Sequence, residues 1–157
     1  MEDPVTLAVT HAMGVKDVNK IEYAQFKKGC ETFNADSVDK WMRIIPDLKK
    51  DVLKNPKLHR EIYEFSYVFS CEAGLKTLDK EVALALWPMF LADRCEFLQI
   101  WMKFIETSPI KIVKKDEWNM FYEMVADTKG NFKNYKDEGC WPLLFDEFVE
   151  FYAKNGN

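Results

Sequence analysis

The most distinctive chemical feature of the sequence is an acidic stretch near its end, where residues 137–152 read DEGCWPLLFDEFVEFY. None of these residues is Lys or Arg, and the acids are Asp137, Glu138, Asp146, Glu147 and Glu150. The inward face predicted by helical spacing consists of Leu144, Phe145, Phe148 and either Phe151 or Tyr152. Asp146 and Glu150 then lie one turn apart on the outward face, where like charges repel. Two interpretations stay open, a solvated face that keeps the protein soluble and a docking surface for a Lys- and Arg-rich partner.

Two loops have the helix–loop–helix setting of an EF-hand, but their residues are poor calcium ligands. In residues 14–25, ligand positions 1, 3, 5 and 12 hold Gly14, Lys16, Val18 and Gln25. In residues 127–138, Lys129 takes the third position and Phe132 takes the sixth, which an EF-hand reserves for Gly. The sequence therefore predicts EF-hand-like units that lack metal ligands.

Nucleophilic or zinc chemistry would have to come from the cysteines and histidines, which are Cys30, Cys71, Cys95, Cys140, His11 and His59. No spacing places a histidine beside a cysteine as a nucleophile–base pair requires, and no pair has zinc-ligand spacing. Cysteines on apolar faces are usually small core residues. We predict no catalytic residue, no metal and no cofactor.

The composition favours a compact intracellular protein. Hydrophobic residues make up 48% and aromatic residues 15% of 157 residues, enough for one domain with a ring-rich core. A net charge of −4 disfavours nucleic acid and anionic membranes as partners. The first residues lack the basic and apolar parts of a signal peptide, and the cysteines form no disulfide framework. We expect a soluble monomer of the cytoplasm and nucleus.

Apolar residues recur at helical spacing nearly everywhere, which predicts one all-α domain of about eight helices over residues 1–157. Ser37 and Asn55 are predicted to cap the third and fourth helices, and Thr77 the fifth. Pro46 is expected to kink or restart the third helix, and Pro88 to bend the fifth. Residues 110–118 read as briefly extended, and the last helix begins at Pro142. The large aromatic side chains are expected to pack in the core.

The runs KKDEWNMFYEMVAD (114–127) and NYKDEGCWPLLFDEFVEFY (134–152) resemble the C-terminal signature of the defective-in-cullin-neddylation family, whose domain is called the potentiating-neddylation, PONY or DCUN domain. The middle of the chain agrees in register at Phe26, Gly29, Ile45, Pro46, Tyr63, Phe65, Leu78, Asp79, Ala83, Trp87, Arg94, Phe97, Leu98 and Trp101. The resemblance implies a residual EF-hand-like unit at residues 4–33 and a helical cullin-binding part at 36–152.

The same resemblance implies a cullin-binding site. Family members use an Asp–Ala–Asp surface to grip a basic patch on the C-terminal winged-helix region of the cullin. The matching residues in this sequence are Asp116, Cys140 and Asp146. Cys140 stands where the family usually has Ala. On this interpretation the unneutralised acidic face is the cullin dock, with the cations supplied by the partner.

A second implied site is an apolar pocket for the acetylated N-terminal Met of the neddylation conjugating enzyme. The matching residues are Thr6, Leu7, Val9, Thr10, Met13, Ile21, Phe69, Leu86 and Met89. Thr6 and Thr10 stand where the family is usually apolar, and Leu86 where it often has Tyr. The sequence begins near the second EF-hand-like unit, so we expect the helix pair that usually completes the pocket wall to be absent.

The resemblance thus implies a scaffold-type co-ligase, a non-covalent accessory factor that holds the conjugating enzyme beside the cullin. Holding two reactants together raises their effective concentration and fixes their orientation, so the scaffold needs no nucleophile. The first alternative is a calcium-linked helical sensor or adaptor without a ligase role. The second is a cysteine-dependent hydrolase, which would require a reactive thiol of low pKa.

Overall fold

The computed structural model describes residues 3–71, 75–136 and 141–156, and the chain divides into two compact units. We call Met1–Ala73 the N-terminal unit and Gly74–Asn157 the C-terminal unit. The described residues form eight α-helices, one 3₁₀ turn and a sheet of two three-residue strands. The predicted all-α class is confirmed. The proposed division at residues 4–33 and 36–152 stays a prediction.

The N-terminal unit contains four helices: α1 Pro4–Met13, α2 Tyr23–Thr32, α3 Val38–Lys54 and α4 Pro56–Ser70. Helix α1 contacts the other three. Side chains cap three of these helices at their first residues, because Asp3, Ser37 and Asn55 each accept a hydrogen bond from a backbone N–H of the next turn. The caps predicted at Ser37 and Asn55 are confirmed.

The C-terminal unit begins with a strand and ends with a helix. Its elements are β1 Thr77–Asp79, α5 Lys80–Leu91, α6 Leu98–Thr107, β2 Ile112–Lys114, α7 Lys115–Asp127, the 3₁₀ turn Phe132–Asn134 and α8 Leu143–Asn155. The two strands pair antiparallel, with Leu78 opposite Val113 and both side chains fully buried. Each strand leads directly into a helix, so the sheet fixes where α5 and α7 begin.

The sequence placed the cap of the fifth helix two residues too early. Thr77 lies in β1 opposite Lys114, and Asp79 is the N-cap, its carboxylate accepting a hydrogen bond from the backbone N–H of Glu81 at 2.8 Å. Thr77 is held in the strand pair, so the helix begins after Asp79, and the Asp79 side chain caps the free N–H groups of its first turn. Helix α3 continues through Pro46 without a restart, as α5 continues through Pro88, and the predicted kink at Pro46 and bend at Pro88 stay predictions.

An aromatic cluster forms the core of the C-terminal unit. Helices α7 and α8 both pack against the side chain of Trp101 in this cluster. The Trp101 ring stacks on Phe121 of α7 at 4.1 Å and on Phe145 of α8 at 5.4 Å between centroids. Trp87 stacks on Trp118 at 5.4 Å. The expected packing of Trp87, Trp101, Trp118 and Phe121 in the core is confirmed, whereas Phe65 is half-buried. Among the described helices, none combines the length and the apolar character that a bilayer-spanning segment needs.

Candidate functional site

Asp116 is the second residue of α7, and its carboxylate is exposed. The neighbouring Glu117 acts as a cap instead, because its carboxylate accepts a hydrogen bond from the backbone N–H of Lys114 at 2.8 Å and so closes the start of the helix. Glu117 is accordingly only 15% exposed. One acid of the first turn caps the helix, and the other is presented to solvent.

Asp146 is the fourth residue of α8 and is also exposed. The opposite face of the helix is buried, with Phe145 and Phe148 fully covered. Pro142 occupies the N-cap position without a side-chain hydrogen bond, so packing rather than capping holds the start of this helix. The Trp141 and Phe145 rings lie 5.5 Å apart.

Neither carboxylate is neutralised inside the part of the chain that the structure describes, where Asp116 and Asp146 have no ion pair and no side-chain hydrogen bond. Each lies in the first turn of a helix, where the positive end of the helix dipole favours a negative charge by about 0.3–1 kcal/mol. The helices that carry them pack on the same tryptophan. The third predicted contact, Cys140, lies outside the described residues.

A cavity of about 400 Å³, which sequence reasoning missed, lies between the end of α7 and the start of α8. Its lining residues are Met124, Asp127, Thr128, Asn134, Tyr135, Lys136 and Trp141. The Asn134 amide donates to the Thr128 carbonyl at 2.8 Å and so shapes the wall. Residues from a helix end, a 3₁₀ turn and a loop share no sequence period, so no pattern could reveal this cavity.

The residues predicted to form the conjugating-enzyme pocket fall in both units. Seven lie in the N-terminal unit: Thr6, Leu7, Val9, Thr10, Met13, Ile21 and Phe69. Leu86 and Met89 lie on α5 of the C-terminal unit. Leu7, Met13, Phe69 and Leu86 are buried, whereas Ile21 is 56% exposed. The Thr10 hydroxyl donates to the Thr6 carbonyl at 2.8 Å, so it is satisfied within α1. The assignment of the pocket stays a prediction.

The N-terminal unit has a cavity of its own, of about 410 Å³, where the loop after α1 meets the end of α4. It is lined by Lys16, Asp17, Val18, Asn19, Phe69, Ser70 and Cys71. Phe69, which is 6% exposed, is the member of the predicted pocket set on this wall.

The first EF-hand-like loop is closed by the protein itself. The Gln25 amide donates to the Gly14 carbonyl at 3.1 Å and accepts from the backbone N–H of Glu22 at 2.9 Å. Both ends of this side chain are therefore engaged at the position where an EF-hand places its bidentate Glu. Across residues 3–71, 75–136 and 141–156 no group of three or more His, Cys, Asp or Glu is arranged to hold a metal ion.

Two of the described thiols, those of Cys71 and Cys95, differ from an activated nucleophile. Burial raises the pKa of the Cys95 thiol to about 12 and also raises the pKa of Cys71. A nucleophilic cysteine needs the opposite shift, because the thiolate is the reactive form. His59 is fully buried, and His11 lies near Glu61, with 3.7 Å between His11 Nε2 and Glu61 Oε1.

Comparison with known proteins adds a family match and a group of relatives. A family described as "Cullin binding" matches residues 40–151, which include Asp116 and Asp146. DCN1-like protein 3 of Homo sapiens is 32% identical over 137 residues, covering 84% of this chain and 45% of that protein. The Xenopus laevis protein of the same name is 31% identical over the same shares.

A fungal relative extends the match toward the start of the chain. Defective in cullin neddylation protein 1 of Yarrowia lipolytica is 28% identical over 153 residues, which are 96% of this chain and 64% of that protein. The chain thus spans about half to two thirds of the length of these relatives.

Proposed function

This chain belongs to the cullin-binding family, and from that premise we propose that it promotes the neddylation of cullins as a non-covalent scaffold. It would bind the C-terminal winged-helix region of a cullin and hold the neddylation conjugating enzyme beside it. The name of the Yarrowia lipolytica relative connects that protein with cullin neddylation. The matched segment carries the predicted acidic contacts, so the proposal has a physical site.

The observation that carries the proposal is the pair of exposed acids, Asp116 and Asp146, on the first turns of α7 and α8. No described cation pairs with either carboxylate, so a Lys- or Arg-rich partner can bind without first breaking an internal ion pair. Hydrogen bonds between charged groups contribute about 1.5–3 kcal/mol each, roughly twice the neutral kind. Two such contacts supply about 3–6 kcal/mol, less than the roughly 8 kcal/mol of a micromolar complex, so further contacts must contribute to the affinity.

The mechanism we propose is proximity. The attacking lysine belongs to the cullin and the thioester cysteine to the conjugating enzyme, so the scaffold contributes no reacting group. Binding both partners turns an encounter in solution into a reaction within one complex, which raises effective concentration and restricts orientation. The raised pKa values of the Cys71 and Cys95 thiols are compatible with this mechanism, because neither thiol has to act as a nucleophile in it.

For the conjugating enzyme we propose that its acetylated N-terminal Met contacts Phe69, the aromatic residue on the wall of the N-terminal cavity, whose lining also includes the polar Lys16, Asp17, Asn19 and Ser70. Acetylation removes the charge of an amino terminus, and transferring a charged amine to an apolar site is far more costly than transferring an amide. An apolar site would therefore distinguish acetylated from free N-termini. The exposed Ile21 is available for further apolar contact.

The test is the rate at which the modifier passes from a preloaded conjugating enzyme to a recombinant cullin C-terminal domain, with and without this chain. We expect the chain to accelerate the transfer and the double variant Asp116→Asn/Asp146→Asn to lose most of the acceleration. A charge-matched control is Asp39→Asn/Asp93→Asn, which removes two exposed acids elsewhere. Equal acceleration by both double variants would contradict the proposed site.

A further inference from the structure

Leu143 is the first residue of α8, and its side chain is 72% exposed. The leucine that follows it, Leu144, is only 7% exposed. Among the large apolar residues described as exposed in the C-terminal unit, Leu143 is the most exposed, ahead of Leu75 at 54% and Ile112 at 45%. A single exposed leucine is ordinary on a protein surface, so its neighbours decide whether it has a role.

Helix geometry places Leu143 among the acids of α8. Successive residues turn by about 100°, so residues three, four and seven positions later return to the same side within about 60°. Those positions hold Asp146, Glu147 and Glu150, all exposed. Lys154 continues the line one turn further and is exposed as well. We call these five residues the α8 outer stripe.

Along the stripe come one apolar residue, three acidic residues and one basic residue. With a rise of about 1.5 Å per residue, Asp146 and Glu147 lie about 5–6 Å along the axis from Leu143, and Glu150 about 10 Å. A complementary partner surface would carry an apolar side chain flanked on one side by Lys or Arg at those spacings. A uniformly charged surface would satisfy the acids and leave Leu143 without a contact.

We propose that Leu143 is an apolar anchor of the cullin dock and that its occupant is an apolar side chain set beside the basic patch of the cullin. This inference rests on the proposed function, because it assigns a further contact to the same dock. Charge complementarity speeds association and sets specificity more than it adds affinity. A leucine that loses its water contact on binding slows dissociation, and most affinity differences between related complexes lie in that rate.

The contributions of Leu143 and of the acids to binding can be distinguished by their dependence on salt. Added salt screens the attraction between exposed charges, with a Debye length of about 8–10 Å at physiological ionic strength, and leaves an apolar contact nearly unchanged. The weakening caused by Leu143→Ala should therefore be the same at low and at moderate ionic strength. The weakening caused by Asp146→Asn should shrink as salt is added.

The experiment measures the affinity and dissociation rate of a recombinant cullin C-terminal domain for this chain and for Leu143→Ala and Leu143→Gln, at two ionic strengths. We expect each Leu143 variant to raise Kd by about tenfold, mainly through faster dissociation, by the same factor at both ionic strengths. Alanine is the best helix former, so the first turn of α8 should stay intact. The matched control is Leu75→Ala, an exposed leucine of the same unit, with Kd unchanged.

The possible results distinguish a failure of the Leu143 anchor from a failure of the proposed function. If wild type binds and Leu143→Ala binds with the same Kd, the anchor is overturned and the acidic dock stands. If Leu75→Ala weakens binding as much as Leu143→Ala, the effect is not specific to the stripe and the anchor is again overturned. If wild type does not bind the cullin domain at all, the proposed function fails, and the anchor fails with it.

Discussion

The first turns of α7 and α8 present the same side chain, an exposed Asp, on two different supports. At α7 a short sheet leads into the helix and the Glu117 carboxylate closes its first turn. At α8 no side chain caps the helix, and the buried ring of Phe145 holds its start against Trp101. Both helices bury rings in the core, since Trp118 of α7 stacks on Trp87, but only α7 adds a side-chain cap. Losing the cap of α7 and losing the Phe145 ring of α8 should therefore have effects of different size.

The charges around the two acids differ as well. Asp116 follows Lys114 and Lys115, both exposed, whereas Asp146 shares its exposed face with Glu147 and Glu150. A basic partner therefore meets a mixed surface at α7 and an acidic one at α8. In the proposed dock, α8 would supply most of the attraction at a distance and α7 a local contact.

The largest expected effect concerns the support of α8. Phe145→Ala should lower the free energy of unfolding by about 3–5 kcal/mol, because it leaves a cavity in the aromatic cluster beside Trp101. Chemical denaturation measures the change. Phe26→Ala is the matched control, since Phe26 is 49% exposed and its truncation should cost about 0.5 kcal/mol or less. Equal losses in the two variants would contradict the claim that packing holds α8.

The cap of α7 is a polar support, and its loss should cost less than the loss of the Phe145 ring. Glu117→Ala removes the capping hydrogen bond to Lys114 and should cost about 1 kcal/mol. Asp116→Ala, on the same turn without a described hydrogen bond, should lose only the dipole contribution of about 0.3–1 kcal/mol, which Glu117→Ala loses in addition to its cap. Thermal unfolding of the two variants side by side checks the difference. A larger loss for Asp116→Ala would reverse the assignment of cap and contact.

The outer acids of α8 should act on association. Glu147→Gln and Glu150→Gln should each slow binding of a cullin C-terminal domain by about twofold to threefold at low salt, with little change in dissociation. The effect should fade as ionic strength rises. Stopped-flow association measures it. Salt-independent slowing would mean that these acids make close contacts instead of steering the partner.

The smallest expected effect has the opposite sign. Lys115→Gln removes an exposed cation beside Asp116 and should speed association by less than about twofold, because it makes the α7 surface more attractive to a basic partner. The same stopped-flow assay detects it. Slower association in this variant would show that Lys115 itself contacts the partner.

The buried and exposed faces of the helices could be predicted from the sequence, because they follow from helical periodicity. The spacing of Phe145 and Phe148 indicated the buried face of α8, and with it the exposure of Asp146 and Glu150. The caps Ser37 and Asn55 were recognisable because each precedes its helix directly. Local signals of this kind need no knowledge of distant contacts.

The remainder depends on contacts between distant parts of the chain. Strands β1 and β2 are three residues long, too short for an alternating pattern, and their pairing moved the cap of α5 from Thr77 to Asp79. The cavity between the end of α7 and the start of α8 likewise joins residues from a helix end, a 3₁₀ turn and a loop, which share no sequence period.

The most direct test of the account is calorimetric titration of this chain with a cullin C-terminal domain at low and moderate salt, beside the double variant Asp116→Ala/Asp146→Ala. The account predicts about micromolar or tighter binding by wild type that weakens with salt and is lost in the double variant, while the melting temperature changes little. Equal affinity of wild type and double variant would contradict the acidic dock. The acids of α7 and α8 would then be a solvated surface.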